Sequence, residues 1–178
     1  IYSSLVTNLQ ISGNHLTVGA STNSAISHVG SKALIEGNTI VCQTGATHTS
    51  AISCSGDDTV VCNNFIDGSS STSNGIVLPT GYTNVSCHNN YIKATSSNAI
   101  LSQNNVASVF IHDNKSAAGG AITLQASNLG WGNFVIGTTA GYIFDTIDPR
   151  VTTAGTNAAS VVTVGGTQTL TNKTLTSP

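Results

Sequence analysis

Val60-Val61-Cys62-Asn63-Asn64-Phe65-Ile66 and Ser86-Cys87-His88-Asn89-Asn90-Tyr91-Ile92 are two versions of one pattern, and the pattern recurs along most of the chain. Its fixed point is an asparagine, found at Asn14, Asn38, Asn64, Asn90 and Asn114 with spacings of 24, 26, 26 and 24 residues. Three residues earlier stand Ile11, Ile35, Val61, Cys87 and Ile111; two residues later stand Leu16, Ile40, Ile66, Ile92 and Ser116. A second column holds Ile26, Ile52, Ile76, Ile100 and Ile122, each preceded by a small residue: Ala25, Ala51, Gly75, Ala99 or Ala121. A weaker sixth copy shows at Asn133, Val135 and Ile143. Self-similarity at a period of this size marks a stack of repeats.

The local period says which kind. Apolar and polar residues alternate around each asparagine, as in Leu9-x-Ile11 and Val109-x-Ile111, which is the signature of a half-buried strand. No window carries a helical apolar stripe, and Gly, Ser, Thr and Asn fill the intervals where turns need them. A repeat of two or three short strands buries its inward residues only by stacking on its neighbours. The expectation is an all-β chain: a right-handed, single-stranded parallel β-helix of about six coils over residues 1–148, a linker over 149–160, and an extended β tail over 161–178. At about 4.8 Å per strand spacing, such a rod is on the order of 30 Å long.

The asparagines read as a structural ladder. An amide supplies two donors and an acceptor oxygen with two lone pairs, so like amides stacked one strand apart bond along the axis. Asparagine also tolerates the left-handed backbone of a sharp corner.

Composition excludes several functions. Only 7% of the 178 residues are charged and the net charge is −2, so there is no basic footprint for nucleic acid. No run approaches the 18 apolar residues of a spanning helix, and membrane insertion is not expected. The chain has no methionine and no signal-peptide pattern, and it reads as a piece of a longer protein.

Cys42, Cys54, Cys62 and Cys87 lack zinc-type spacing. Cys54 and Cys87 fall at inward positions, and reduced, buried thiols are expected. Two residues before the asparagines come Ser12, Glu36, Cys62, His88 and His112, which stack into one outward row. Cys62, His88 and His112 could ligate a metal, and a Cys beside a His could act as a nucleophile with its base. Four groups in a line span too far for one tetrahedral ion, and no oxyanion donor is identifiable. The row reads as polar surface, and no cofactor is expected.

A glycosidase needs two carboxyl groups flanking the scissile bond. Among Glu36, Asp57, Asp58, Asp67, Asp113, Asp145 and Asp148, only Gly56-Asp57-Asp58 stands out. It resembles the Gly-Asp-Asp segment of polygalacturonases, which use this fold and invert. Ser31 and Lys32 stand where that family would supply Asn-Thr-Asp, and its His-Gly and Arg-Ile-Lys elements are absent. Asp57 and Asp58 are therefore weak catalytic candidates beside ordinary turn chemistry.

After Asp148-Pro149-Arg150 the pattern stops, and Gly165-Gly166-Thr167-Gln168-Thr169-Leu170-Thr171-Asn172-Lys173-Thr174-Leu175-Thr176-Ser177-Pro178 follows. This string resembles a segment of bacteriophage tail fibres and other virion appendages. The repeat region is similar in pattern to the pectin-lyase-like β-helices of phage tailspikes. The resemblance implies a structural and host-receptor-binding segment in the virion, outside the host cell. It also implies a homotrimer whose partners are host-surface polysaccharide and other virion tail proteins. A glycan depolymerase on the same β-helix and a secreted bacterial β-helix adhesin remain alternatives. The expected glycan surface is outward aromatic: Phe65, Tyr82, Tyr91 and Trp131, with Phe65 and Tyr91 pointing the same way from consecutive coils.

Overall fold

The sixfold alternation folds into three parallel sheets wound into one solenoid, and the computed structural model contains no helix among its described residues. These are residues 1–144 apart from 20–22, 44–47, 69–71, 94, 96, 104–107, 118–119, 126–127 and 137–141. The expected linker and tail, 149–160 and 161–178, lie outside them.

Each turn of chain contributes one strand to each sheet. Sheet A stacks β1 (Tyr2–Ser4), β4 (Ile26–Val29), β7 (His48–Ser55), β10 (Thr72–Leu78), β13 (Asn98–Ser102) and β16 (Ala121–Thr123). Sheet B stacks β2 (Gln10–Ser12), β5 (Leu34–Glu36), β8 (Val60–Cys62), β11 (Val85–His88), β14 (Val109–His112) and β17 (Leu129–Trp131). Sheet C stacks β3 (His15–Val18), β6 (Thr39–Cys42), β9 (Phe65–Asp67), β12 (Tyr91–Lys93), β15 (Lys115–Ala117) and β18 (Phe134–Ile136), then adds β19 (Tyr142–Phe144). Register follows the sequence columns: Ile26 pairs with Ile52, Ile35 with Val61, and Ile66 with Ile92.

The core is the set of inward residues from all three sheets. Ile26, Ile52, Ile76 and Ile100 from sheet A meet Ile35, Val61, Cys87 and Ile111 from sheet B and Ile40, Ile66 and Ile92 from sheet C, all essentially inaccessible to water. Ser116 takes the inward place in β15 and is buried because its hydroxyl donates to Gly120 O at 2.7 Å.

The coil count is corrected from about six to about four. From β4 to β15 the inward residues of all three sheets are buried, which makes four complete turns. The first turn leaves Leu16 half-buried, and the last leaves Ile122 half-buried. The sixth sequence copy also ends differently from the expectation. Asn133 and Val135 hold their columns, but Ile143 does not begin another sheet A strand. It lies in β19, which folds back antiparallel on β18 and pairs with Val135.

Candidate functional site

The asparagine ladder fixes the corner between sheets B and C. Asn14 Nδ2 donates to Asn38 Oδ1, Asn38 to Asn64 and Asn64 to Asn90, each at 3.0 Å; Asn90 donates to Asn114 at 2.9 Å and Asn114 to Asn133 at 3.0 Å. Each accepting oxygen also takes the backbone N–H of the asparagine before it. The second Nδ2 hydrogen of Asn38, Asn64, Asn90 and Asn114 goes to the preceding coil, at Ile11 O, Ile35 O, Val61 O and Cys87 O. A buried amide is costly unless satisfied, and in Asn38, Asn64, Asn90 and Asn114 both hydrogens are donated and the oxygen accepts two bonds.

The left-handed residue of this corner is not the ladder asparagine, as the sequence suggested, but the residue before it. Gly13, Gly37, Asn63, Asn89, Asp113 and Gly132 all have φ between 53° and 66°. These are the residue types that enter that region at least cost.

Outward from the corner, sheet C presents a column in fixed register: Thr39, Phe65, Tyr91, Lys115. The Phe65 and Tyr91 ring centroids are 5.4 Å apart with planes tilted by 52°. Lys115 Nζ sits 5.1 Å from the Tyr91 centroid, within cation–π range. The neighbouring column adds an ion pair, Lys93 Nζ to Asp67 Oδ2 at 2.9 Å. The result is a strip with two aromatic rings, a cation over one of them, and a hydrogen-bonding rim.

The other aromatic candidates do not join it. Tyr82, in the connection between sheets A and B, packs against the core and is half-buried. Trp131 pairs with His112 at the end of sheet B, and its side chain lies outside the described residues.

On the far side of the corner, sheet B carries the row Glu36, Cys62, His88, His112. The His88 and His112 rings stack in parallel, 4.9 Å between centroids and 5° between planes. Among the described residues, no group of three or more His, Cys, Asp or Glu side chains is placed to hold a metal ion. Burial pushes the Cys62 thiol up, and the Glu36 carboxylate adds to the shift, so the thiolate a nucleophile needs is disfavoured. Burial and the neighbouring His112 hold His88 below the usual imidazole range.

Each described carboxylate is already engaged. Glu36 accepts from Gln10 Nε2, Asp67 from Lys93, and Asp113 from His112 at 2.8 Å. Asp57 and Asp58 sit at the turn into sheet B, where Asp58 has φ 53°. Asp57 Oδ1 accepts the Thr83 N–H at 2.6 Å and its hydroxyl at 3.0 Å, while Asp58 Oδ1 accepts Asn84 Nδ2 at 3.0 Å. The Thr83 bonds hold the Asp57 carboxyl below its usual range. A carboxylate so stabilised in its ionised form is a poor general acid.

The sequence reading missed a second set of stacked polar contacts, along sheet A. Ser24 Oγ lies 2.6 Å from Ser50 Oγ, Asn98 Nδ2 donates to Asn74 Oδ1 at 2.9 Å, and Thr123 Oγ1 donates to Asn98 Oδ1 at 2.8 Å. Ser24, Ser50, Asn74 and Asn98 each stand two residues before a sheet A isoleucine, so their column was present in the sequence, whereas Thr123 pairs in register with Leu101 and reaches Asn98 from outside that column.

Together these features define a parallel β-helix whose outward columns are held in rigid register by stacked polar side chains. No family model, curated protein or solved structure matches the chain.

Proposed function

We propose that this chain is a rigid rod segment of a virion appendage that binds host-surface glycan along the Phe65–Tyr91–Lys115 strip. The observation that carries the reading is the register-locked aromatic pair with its cation and the Asp67–Lys93 ion pair beside it. Aromatic rings offer a flat apolar face to the C–H side of a sugar, and the charged rim offers donors and acceptors to its hydroxyls. A site built on paired strands keeps its spacing better than one built on loops. The resemblance of residues 165–178 to virion-appendage segments supports the location and a homotrimer in the tail. Three copies of one weak strip raise avidity through effective concentration. Binding is favoured over cleavage because the described carboxylates are committed to neighbouring groups.

The test is retention on an array of bacterial surface polysaccharides. The Phe65→Ala, Tyr91→Ala double variant should lose binding at least tenfold while its melting temperature stays close to that of the parent. Equal retention by parent and variant would move the glycan site off sheet C.

A further inference from the structure

Charge is not spread evenly over the rod. Among the described residues, sheet C carries two of the three lysines, Lys93 and Lys115, and one of the five carboxylates, Asp67. Lys32, Glu36, Asp57, Asp58 and Asp113 lie on sheet B or at the turns beside it. Sheet C is thus a face with a positive excess, in a chain whose net charge is −2.

The two lysines of that face differ. Lys93 Nζ lies 2.9 Å from Asp67 Oδ2, and this hydrogen bond holds the ammonium above the ordinary lysine range. The pair is neutral as a unit. Lys115 has no such partner. The ion pairs among the described residues join Lys93 to Asp67 and His112 to Asp113. Lys115 is exposed, and its contact is the Tyr91 ring, 5.1 Å from Nζ to centroid. An aromatic face attracts a cation without cancelling its charge, and the ammonium keeps donors for a further acceptor.

Register ties this charge to the aromatic pair. Phe65, Tyr91 and Lys115 stand in consecutive turns, so the lysine is one strand spacing, about 4.8 Å, beyond Tyr91. A sugar seated on the rings presents its substituents to Nζ. A neutral sugar offers hydroxyls there, as water does. A carboxylate offers a charge-assisted bond that water does not match.

Resting on the glycan-binding reading above, we propose that the strip selects acidic polysaccharide. A carboxylate carried on the sugar accepts from Lys115 Nζ while the sugar ring lies on Phe65 and Tyr91.

An array pairing polygalacturonate, alginate and hyaluronan with their carboxyl-reduced products tests this, because reduction keeps each linkage and removes the charge. The full chain should bind at least one acidic polymer, and its reduced partner about threefold to fivefold more weakly, the weight of one exposed ion pair. High salt should weaken the acidic binding. Lys115→Met keeps the length of the stem and should lose the same factor on the acidic polymer and nothing on the reduced one. Retention that is equal before and after reduction, or unchanged by Lys115→Met, would overturn the proposal. So would retention of neutral polysaccharides alone, or equal retention of dextran sulfate by the parent and by the Phe65→Ala, Tyr91→Ala variant, which marks plain adsorption of charge. If that double variant still loses glycan in the first two cases, the strip remains the site and only its choice of acid is wrong. Retention that none of the three substitutions lowers would remove the glycan site from sheet C altogether.

Discussion

Asn90 and Asn114 are joined twice: Asn90 donates both its side-chain and its backbone N–H to Asn114 Oδ1, at 2.9 and 3.0 Å. Replacing Asn90 by Leu therefore removes a buried amide from both sides of the ladder and leaves backbone groups of two coils without partners. The expected cost is about 3 kcal/mol or more, since each buried group left unsatisfied costs roughly 1–3 kcal/mol. Asn14→Leu, at the half-buried end of the ladder, should cost about 1 kcal/mol. Urea unfolding compares the two; equal costs would mean the ladder is not the element that holds the corner.

Stability should fall on mild acidification because of His88. Its folded pKa is depressed below the ordinary 6.5, first by burial and then by His112, with Asp113 opposing. The unfolded chain therefore binds the proton more readily, and stability rises with pH across that window. The contribution is complete above about 6.5 and is lost as pH falls through the lower folded value. Cys62, His112 and Asp113 are the titratable groups beside the ring. His28 is lowered by burial and adds a shift of the same sign. Urea midpoints between pH 5 and 8 should flatten in part for His88→Phe, and an unchanged slope would assign the dependence elsewhere.

All four cysteines are free and buried. Burial pushes the Cys54 thiol up to about 12 and the Cys87 thiol higher still. Cys42 and Cys62 shift the same way. In the folded chain a thiol reagent should titrate none of them quickly, and in denaturant all four. Fast labelling of one site in the native protein would mark a locally open coil.

Asp57→Asn with Asp58→Asn should leave glycan binding intact and make the chain less sensitive to strong acid. The Asp57 pKa is depressed by its Thr83 bonds, so its contribution is present above the ordinary 3.8 and disappears as pH falls through the lower folded value. Acid titration followed by circular dichroism gives the comparison. A large loss of binding would return these two residues to the functional site.

The repeat was legible because Ile35, Asn38 and Ile40 are restated in type as well as in place, so one coil predicts the next. The Phe65–Tyr91 pair was legible for the same reason. The left-handed corner was not: Gly37, Asn63 and Asp113 share a backbone angle and little else. Tyr82 was misplaced because no column fixes it. It sits in the connection between sheets A and B, where packing on the core, not alternation, decides which way a ring turns. Ile143 kept its apolar character while its strand reversed direction, and a column of apolar residues carries no information about strand sense.

The ladder corner has a consequence for how such a chain can change. From the inward residue of sheet B to that of sheet C the count is five in each turn: Ile11 to Leu16, Ile35 to Ile40, Val61 to Ile66, Cys87 to Ile92, Ile111 to Ser116. From sheet C to sheet A it ranges from six, Ser116 to Ile122, to twelve, Ile40 to Ile52. The amide bonds and the left-handed residue before each asparagine accompany a fixed length at this corner, whereas the connection into sheet A varies twofold and the one from sheet A to sheet B runs from nine, Ile26 to Ile35, to eleven, Ile76 to Cys87. Insertions are thereby channelled away from the ladder corner, to the two connections on either side of sheet A. The molecule is a chassis on which new surface loops can be tried, by evolution or by grafting, without renegotiating the core.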